Sequence, residues 1–319
     1  MTRYALVADV GGTQMRAALV DSDGEVTHKR ASLTLANRGR QDVLERLLAP
    51  LEGLASVAPP GSLAGVGLAI AGPTDPETGT VYSPPHIPCW DGYSPVAAVE
   101  ERLSLKTFVA NDATLAALAE HTYGAGRGRR HMVYLTLSTG IGGGIIVDGN
   151  LYTGNRGFAG EVGHITIDPD GPLCHCGNNG CLEALASGTA VARMARKRLD
   201  AGEASALTRH LEDEGGDVDA RAVAEAAASG DGVAQEIMAE AGAYLGIGIA
   251  GLVNAFAPEI VVVGGGMSEG LDLMLPGIGR EMERRTMGHQ RGLVPVVKAR
   301  LGDNVSLLGA AALGFGAAD

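Results

Sequence analysis

The sequence predicts an α/β protein of two domains. Buried apolar strands alternate with helical segments along the chain, and a length of 319 residues suggests about two domains. An internal duplication supports this fold class: a strand, a glycine-rich turn, a second strand and an acidic-glycine turn occur at 4–24 and again at 132–150. Ligands of open α/β sheets bind at the carboxyl ends of strands, so the glycine-rich segments there are the first places to look for a site.

The periodicity of apolar residues gives the individual elements. The predicted strands are 4–10, 15–20, 63–70, 106–110, 132–138, 145–147, 259–263 and 293–299, with a short β-like segment at 80–83. The predicted helices are 41–57, 113–123, 189–199, 220–229, 233–257, 271–285 and 306–315. Proline-rich 84–95, which contains Trp90, is expected to be a surface or site-lining loop, and 201–219 an exposed connection with some helix.

Charge and composition exclude several classes of partner. With 25 basic and 37 acidic residues the net charge is −12, which argues against nucleic acid and anionic membranes. A nucleotide stays compatible, because backbone amides and a metal ion can neutralise phosphates locally. We see no signal peptide after Met1, and the apolar stretch 243–256 is short and glycine-rich, which favours a buried helix over a membrane span. The four cysteines suit a reducing cytoplasm.

Three glycine-rich turns follow predicted strands. The first contains Asp9, Gly11, Gly12 and Thr13, where glycines would let backbone N–H groups approach a phosphate and Asp9 would hold Mg²⁺ directly or through water. An ordinary glycine hairpin is the alternative for this weak motif. The others contain Thr139 with Gly140, and Gly264 with Gly265. None fits a dinucleotide-binding fingerprint or a P-loop.

Asn111 and Asp112 stand where a predicted strand runs into a helix. This placement suits a site carboxylate at Asp112. Capping of the helix by either residue is the alternative, since Asn and Asp commonly do this at helix starts.

A cluster of thiols and imidazoles predicts a zinc site. His164, Cys174, Cys176 and Cys181 supply the four ligands of a closed, structural site, and a loop wrapped around the metal would hold Glu161 and Glu183 near each other. Three buried small residues with a core histidine, or a disulfide, are the alternatives. His175 is a competing ligand in an awkward position between two ligand cysteines, and Cys89 is expected to be a plain thiol.

Taken together, these motifs resemble the ROK family of sugar kinases, and within it bacterial glucokinases. The resemblance covers essentially the whole chain, through DVGGT at 9–13, AGPTD at 71–75, ND at 111–112, STGIGGG at 138–144, GEVGH at 160–164, CHCGNNGCLE at 174–183 and VVGGG at 262–266. It implies an actin-like, ribonuclease H-like pair of α/β domains around a central cleft. The expected division is a small domain of 1–111 with 305–319 and a large domain of 112–304 that carries the zinc loop. The family also implies ATP-dependent phosphorylation of a hexose, structural zinc, and homodimers or homotetramers.

The resemblance assigns roles position by position. Asp112 matches the general base. The residues expected to bind sugar are Gly72, Asn111, Asp112, Glu161, His164 and Glu183, and those expected to bind ATP are Asp9, Gly11, Gly12, Thr13, Thr139, Gly140, Gly264 and Gly265. His164 would contact sugar with one ring nitrogen and zinc with the other.

Two departures from the family pattern bear on specificity. Thr114 replaces an asparagine that many members have, and 83–88 lacks the asparagine that many members place before the tryptophan loop to touch sugar.

The expected reaction is phosphorylation of the glucose 6-hydroxyl by Mg-ATP. Mannose, fructose or an N-acetylhexosamine are alternative substrates, and polyphosphate is an alternative donor. A non-catalytic sugar sensor is the alternative from another class, although family repressors carry an N-terminal helix-turn-helix where the first core strand here begins at about Tyr4.

Overall fold

The chain forms two compact α/β units. A computed structural model describes residues 2–208 and 218–316. The first unit comprises Met1–Arg129, Gly144–Gly160 and Arg300–Asp319, and the second comprises Arg130–Gly143 and Glu161–Ala299. Residues 112–129 and 144–160 thus belong to the same unit as the N-terminal part of the chain. The domain boundaries expected from the sequence stay a prediction.

The sheet of the first unit brings three predicted site segments to one edge. Its order is β3-β2-β1-β4-β5, formed by β1 (Tyr4–Val10), β2 (Gln14–Asp21), β3 (Val26–Leu33), β4 (Leu63–Ile70) and β5 (Thr107–Asn111). Strands β1, β4 and β5 are parallel, with Val10 beside Ile70 and Ile70 beside Asn111. Because the carboxyl ends of parallel strands share one edge, the turns that follow these strands lie side by side.

Helices cover both faces of this sheet, which is why its central strands are apolar throughout. They are α1 (Arg40–Ala55), α2 (Val96–Leu103), α3 (Asp112–Thr122) and α9 (Val305–Phe315). On β1, Leu6 belongs to the core on the α1 face, and its neighbour Val7 belongs to the core with Leu115 and Leu307 on the α3 and α9 face. The alternation follows from the two-residue period of a strand.

The second sheet has the order β10-β9-β6-β7-β8. Its strands are β6 (Met132–Leu137), β7 (Ile141–Val147), β8 (Asn150–Leu151), β9 (Ile260–Gly264) and β10 (Val296–Lys298). The helices of the second unit are α4 (Leu182–Ala186), α5 (Gly188–Asp200), α6 (Ala220–Ala228), α7 (Gly232–Phe256) and α8 (Leu271–Arg285). Helix α7 is long and apolar enough to cross a membrane, yet 61% of its apolar window is buried within the protein. It is a core helix, as the sequence predicts.

The structure corrects several local expectations. Residues 80–83 form no strand, since Val81 makes only isolated bridges to Thr74 and Tyr93. Within the segment expected to be a surface or site-lining loop, Trp90 is fully buried in the core beside α1. Strands β3 and β8 and helices α2 and α4 are absent from the sequence prediction, and β7 begins at Ile141, inside the predicted glycine turn. Part of the predicted connection 201–219 lies outside the described residues.

Candidate active site and metal centre

The first glycine turn exposes two consecutive backbone donors. The backbone N–H of Gly11 donates to the Gln14 carbonyl at 3.1 Å, the hydroxyl of Thr34 donates to the Gly11 carbonyl at 2.6 Å, and the Thr34 N–H donates to the Thr13 carbonyl at 2.9 Å. Within residues 2–208 and 218–316, nothing accepts from the N–H groups of Gly12 and Thr13. Neighbouring free N–H groups at a turn form an anion-binding concavity.

Asp9, just before this turn, is held by an arginine that the sequence prediction missed. Arg16 lies opposite Asp9 in the β1–β2 ladder, and its Nε donates to Asp9 Oδ2 at 3.0 Å, while its Nη2 donates to the same oxygen. The Arg16 Nη1 donates to the Asp303 carbonyl at 2.7 Å. Among the described residues no donor reaches Asp9 Oδ1, which leaves that oxygen for a ligand. The sequence did contain a signal for Arg16, because pairing the two strands of the predicted hairpin places it opposite Asp9.

Asn111 is the N-cap of α3, and Asp112 is the first helical residue. The Asn111 Oδ1 accepts from the N–H groups of Ala113 at 2.9 Å and Thr114 at 3.1 Å, and its Nδ2 donates to the Gly72 carbonyl at 3.1 Å. The capping alternative therefore holds for Asn111, as expected for this residue type. Because Asn111 takes the cap position, Asp112 is displaced from it. The bond to the Gly72 carbonyl brings Gly72 next to Asn111, and Asp112 follows Asn111 directly in the chain.

The second glycine turn repeats the free-donor arrangement in the second unit. Ser138 N–H donates to the Gly140 carbonyl at 2.9 Å, and Thr189 Oγ1 donates to the Thr139 carbonyl at 2.8 Å. In the described part of the chain, nothing accepts from the N–H groups of Thr139 and Gly140. A Cβ at Gly140 would overlap the Glu183 carboxylate, so only glycine fits here without displacing that side chain.

The third turn also requires glycine. Gly265 has a φ of +83°, and a Cβ there would overlap the Leu137 carbonyl oxygen at the end of β6. Gly264 ends β9, directly before it. The turn therefore lies against the end of the strand that precedes the second turn.

The predicted zinc ligands converge. One nitrogen of His164 and the sulfurs of Cys174, Cys176 and Cys181 all lie within 4.8 Å of one another. His164 Nδ1 lies 3.6 Å from Cys174 Sγ, and the sulfurs of Cys176 and Cys181 are 3.6 Å apart. All four cysteines of the chain are free thiols, which rules out the disulfide alternative in this structure. Three sulfurs and one imidazole nitrogen at this spacing fit a tetrahedral Zn²⁺ ion.

The three thiols ionise unequally without a metal. Burial raises the pKa of Cys181 to about 12 and also raises the pKa of Cys174. The backbone N–H of Asn178 lowers the pKa of Cys176. A divalent cation would replace the thiol protons, because the thiolate is the form that ligates.

The carboxylates near this cluster are held differently. His175, although exposed, does not complete the cysteine set but places its Nδ1 2.9 Å from Glu183 Oε1. The other oxygen of Glu183 accepts from the Ile141 N–H at 2.9 Å, so Glu183 joins the metal-binding loop to the second glycine turn. Glu161 is exposed, and no described residue binds its carboxylate.

The predicted site residues thus form two sets. The first unit brings together Asp9, Gly11, Gly12, Thr13, Gly72, Asn111 and Asp112 along the carboxyl edge of β1, β4 and β5. The second unit contains Thr139, Gly140, Glu161, His164, Glu183, Gly264, Gly265 and the three metal-site cysteines.

Comparisons of sequence and structure with known proteins agree on one family. The model of the ROK family matches residues 5–315. A glucokinase of Thermotoga maritima is 35% identical over 305 residues, covering 96% of this chain and 95% of the relative. A solved ROK glucokinase of Streptomyces griseus in complex with glucose and AMPPNP is 33% identical, with a TM-score of 0.80, covering 97% of this chain and 98% of that one. A putative xylose repressor of Caldicellulosiruptor is 33% identical over 96% of this chain and 76% of its own length.

Proposed function

Because this chain belongs to the ROK family, we propose that it is an ATP-dependent glucokinase that phosphorylates the 6-hydroxyl of glucose. The observation that carries the proposal is the pair of glycine turns, each with two consecutive free N–H groups, in a chain in which Asn111 caps α3 and Asp112 begins it. Free amides bind phosphoryl oxygens, and the carboxylate supplies the base that a kinase needs.

Asp112 is the general base in this proposal. It accepts the proton of the 6-hydroxyl as the hydroxyl oxygen attacks the γ-phosphorus of ATP. The new bond joins the sugar oxygen to phosphorus, and the bond from phosphorus to the bridging oxygen breaks to release ADP. A positioned base typically contributes about 10²–10⁴-fold to the rate.

The two glycine turns bind phosphates. Gly12 with Thr13 and Thr139 with Gly140 donate backbone N–H bonds to phosphoryl oxygens, which stabilises the charge that spreads over them during transfer. Asp9 would hold Mg²⁺ through its unoccupied Oδ1, and the ion would add positive charge at the phosphates. Gly264 and Gly265 bind the nucleoside side.

Sugar binding is assigned to Gly72, Asn111, Glu161, His164 and Glu183. These groups orient the hydroxyl toward the phosphoryl group, and burying them gives specificity, because an analogue that lacks a partner leaves them unpaired.

The zinc ion is a structural element of this sugar site. His164 faces Cys174 with Nδ1, and no described residue hydrogen-bonds to its Nε2, so one nitrogen is available for the metal and the other for a sugar hydroxyl. Zn²⁺ on His164, Cys174, Cys176 and Cys181 would therefore also set the ring orientation. A reducing cytoplasm keeps these thiols available. We further propose a homodimer or homotetramer.

The test is production of ADP from Mg-ATP against glucose, mannose, fructose and N-acetylhexosamines, with Asp112→Asn as the matched inactive variant. Turnover that is strongest with glucose and lost in the variant supports the proposal. Preference for another hexose moves the substrate assignment to that sugar, and turnover only with polyphosphate changes the donor. Sugar binding without turnover from either donor supports a sensor, the role that the repressor among the relatives would suggest.

A further inference from the structure

His86 packs directly on the first glycine turn. A Cβ added at Gly12 would overlap the His86 Cβ and lie 2.9 Å from its Cγ. The His86 side chain therefore packs against the Gly12 backbone. The turn on which it packs is the one that carries the free N–H groups of Gly12 and Thr13. Neither the strand pattern nor the helix pattern of the sequence marks His86, since it lies in a proline-rich segment without periodicity.

The backbone around His86 is fixed on both sides. The Ile87 N–H donates to the Pro84 carbonyl at 3.2 Å, and the Trp90 N–H donates to the Ile87 carbonyl at 2.9 Å. Ile87 and Trp90 are fully buried, and Pro84 lies against Gly72, where an added Cβ would come within 3.0 Å of the Pro84 Cα. The short turn thus spans from Gly72 to Gly12, with the exposed His86 between the buried residues Pro84 and Ile87.

The ring nitrogens of His86 make no contact that stabilises the described part of the fold. No described residue hydrogen-bonds to either ring nitrogen, in contrast to His121, whose Nε2 lies 2.7 Å from the Arg129 carbonyl oxygen. An imidazole in any protonation state carries at least one N–H donor. His86 thus brings a donor to the turn on which Gly12 and Thr13 carry two free N–H groups. An acceptor-only anion satisfies a set of donors better than a sugar hydroxyl does.

We propose that His86 is a substrate-contacting residue that donates a hydrogen bond to the γ-phosphoryl group of ATP above the Gly12–Thr13 turn. This inference rests on the proposed kinase function. His86 forms no covalent bond: the bonds made and broken are those of the transfer from ATP to the sugar oxygen, and the imidazole N–H stabilises the charge on the transferring group.

Nucleotide binding separates this role from a structural one. We would measure the dissociation constants of AMPPNP and ADP by calorimetry for the wild type, His86→Ala and His86→Asn. Loss of a hydrogen bond to a charged group corresponds to a weakening of about tenfold to a hundredfold. We expect that loss for AMPPNP in His86→Ala, an ADP affinity within about twofold of wild type, and partial recovery in His86→Asn, whose amide can still donate.

The matched control is His289→Ala, which removes an exposed histidine of the second unit. It should leave both nucleotide affinities unchanged, and thermal unfolding should confirm that each variant is folded. Equal weakening of AMPPNP and ADP, weakening of glucose binding alone, or no change would each overturn the γ-phosphoryl contact. A wild type that binds AMPPNP but phosphorylates no hexose would instead refute the proposed function, because the binding comparison needs no turnover.

Discussion

The pairing of Asp9 with Arg16 leads to a testable statement about the metal–phosphate site. Arg16→Met keeps the length and much of the apolar stem but removes the guanidinium that fixes Asp9 Oδ2. The Arg16 and Asp9 side chains are 23% and 14% exposed, so the pair is only partly screened by water. Leaving Asp9 without its partner should cost about 1–3 kcal/mol of folding free energy, the range for an unpaired charge-assisted hydrogen bond.

The functional effect should appear in the dependence on Mg²⁺. An Asp9 carboxylate that is free to rotate no longer presents Oδ1 in one place, so the Mg²⁺ concentration for half-maximal activity should rise. A loss of about 1.4 kcal/mol corresponds to tenfold, and we expect kcat/KM for ATP to fall by about 10-fold to 100-fold. Activity is measured at saturating glucose over a range of Mg²⁺ concentrations, with urea unfolding as the stability measurement.

Arg30→Met is the matched control. Arg30 pairs with Ala17 across β2 and β3, and in the described part of the chain its side chain makes no hydrogen bond or ion pair. Its removal should leave the Mg²⁺ dependence at wild-type values. If Arg16→Met also kept the wild-type Mg²⁺ dependence and kcat, Arg16 would have no part in positioning Asp9 for catalysis.

Three further predictions concern the base, the metal and a buried carboxylate. Asp112→Asn should keep the fold and glucose affinity while lowering kcat by about 10²–10⁴-fold, and near-normal turnover would remove Asp112 from the base role. Cys176→Ser should lose zinc, as measured by metal analysis, and raise the KM for glucose through a loosened loop; normal kinetics of a metal-free wild type would contradict the link between metal and sugar. Arg285, together with Arg284, holds the pKa of Glu281 below its ordinary value of 4.5. The ionised Glu281 therefore stabilises the folded protein above about pH 4.5, and this contribution is lost as the pH falls through the lower folded pKa. Glu281→Gln should therefore cost about 1 kcal/mol at pH 7, after allowance for the exposed arginines, and progressively less as the pH falls through the lowered folded pKa. A difference in urea unfolding that stayed constant from pH 7 into the acid range would be inconsistent with this linkage.

The central strands were predictable because burial on both faces makes them continuous apolar runs. Strands β1 and β4 begin and end where the sequence predicts, and the site segments at their carboxyl ends follow from that. Strand β3 escaped prediction because it is an edge strand whose residues, such as Lys29 and Arg30, are exposed. Such a strand has no apolar period to detect, and charge on an edge also discourages pairing with other chains.

Trp90 shows the opposite failure. A proline-rich segment predicts a surface or site-lining loop, and this does not reveal that Trp90 is fully buried beside Ile87 in the core on the α1 face. A proline-rich composition indicates an irregular backbone, but it does not indicate which side chains of the irregular segment are buried. The position of His86 on Gly12 depends on this burial, so that contact was beyond the reach of the sequence pattern.

Glu120 marks the limit of such prediction most clearly. It lies in alanine-rich α3 and is 0% exposed, although a buried glutamate is rare unless it is paired. Its carboxylate accepts backbone N–H bonds from Ala125 at 2.7 Å, Arg300 at 2.8 Å and Leu301 at 2.9 Å. Residues 300 and 301 follow directly on the return of the chain to the first unit, 180 positions away in sequence. Backbone amides have no sequence signature, so from sequence a carboxylate that binds them cannot be told apart from an ordinary exposed helical glutamate. Only the folded chain shows that Glu120 holds residues 300 and 301, where the chain re-enters the first unit.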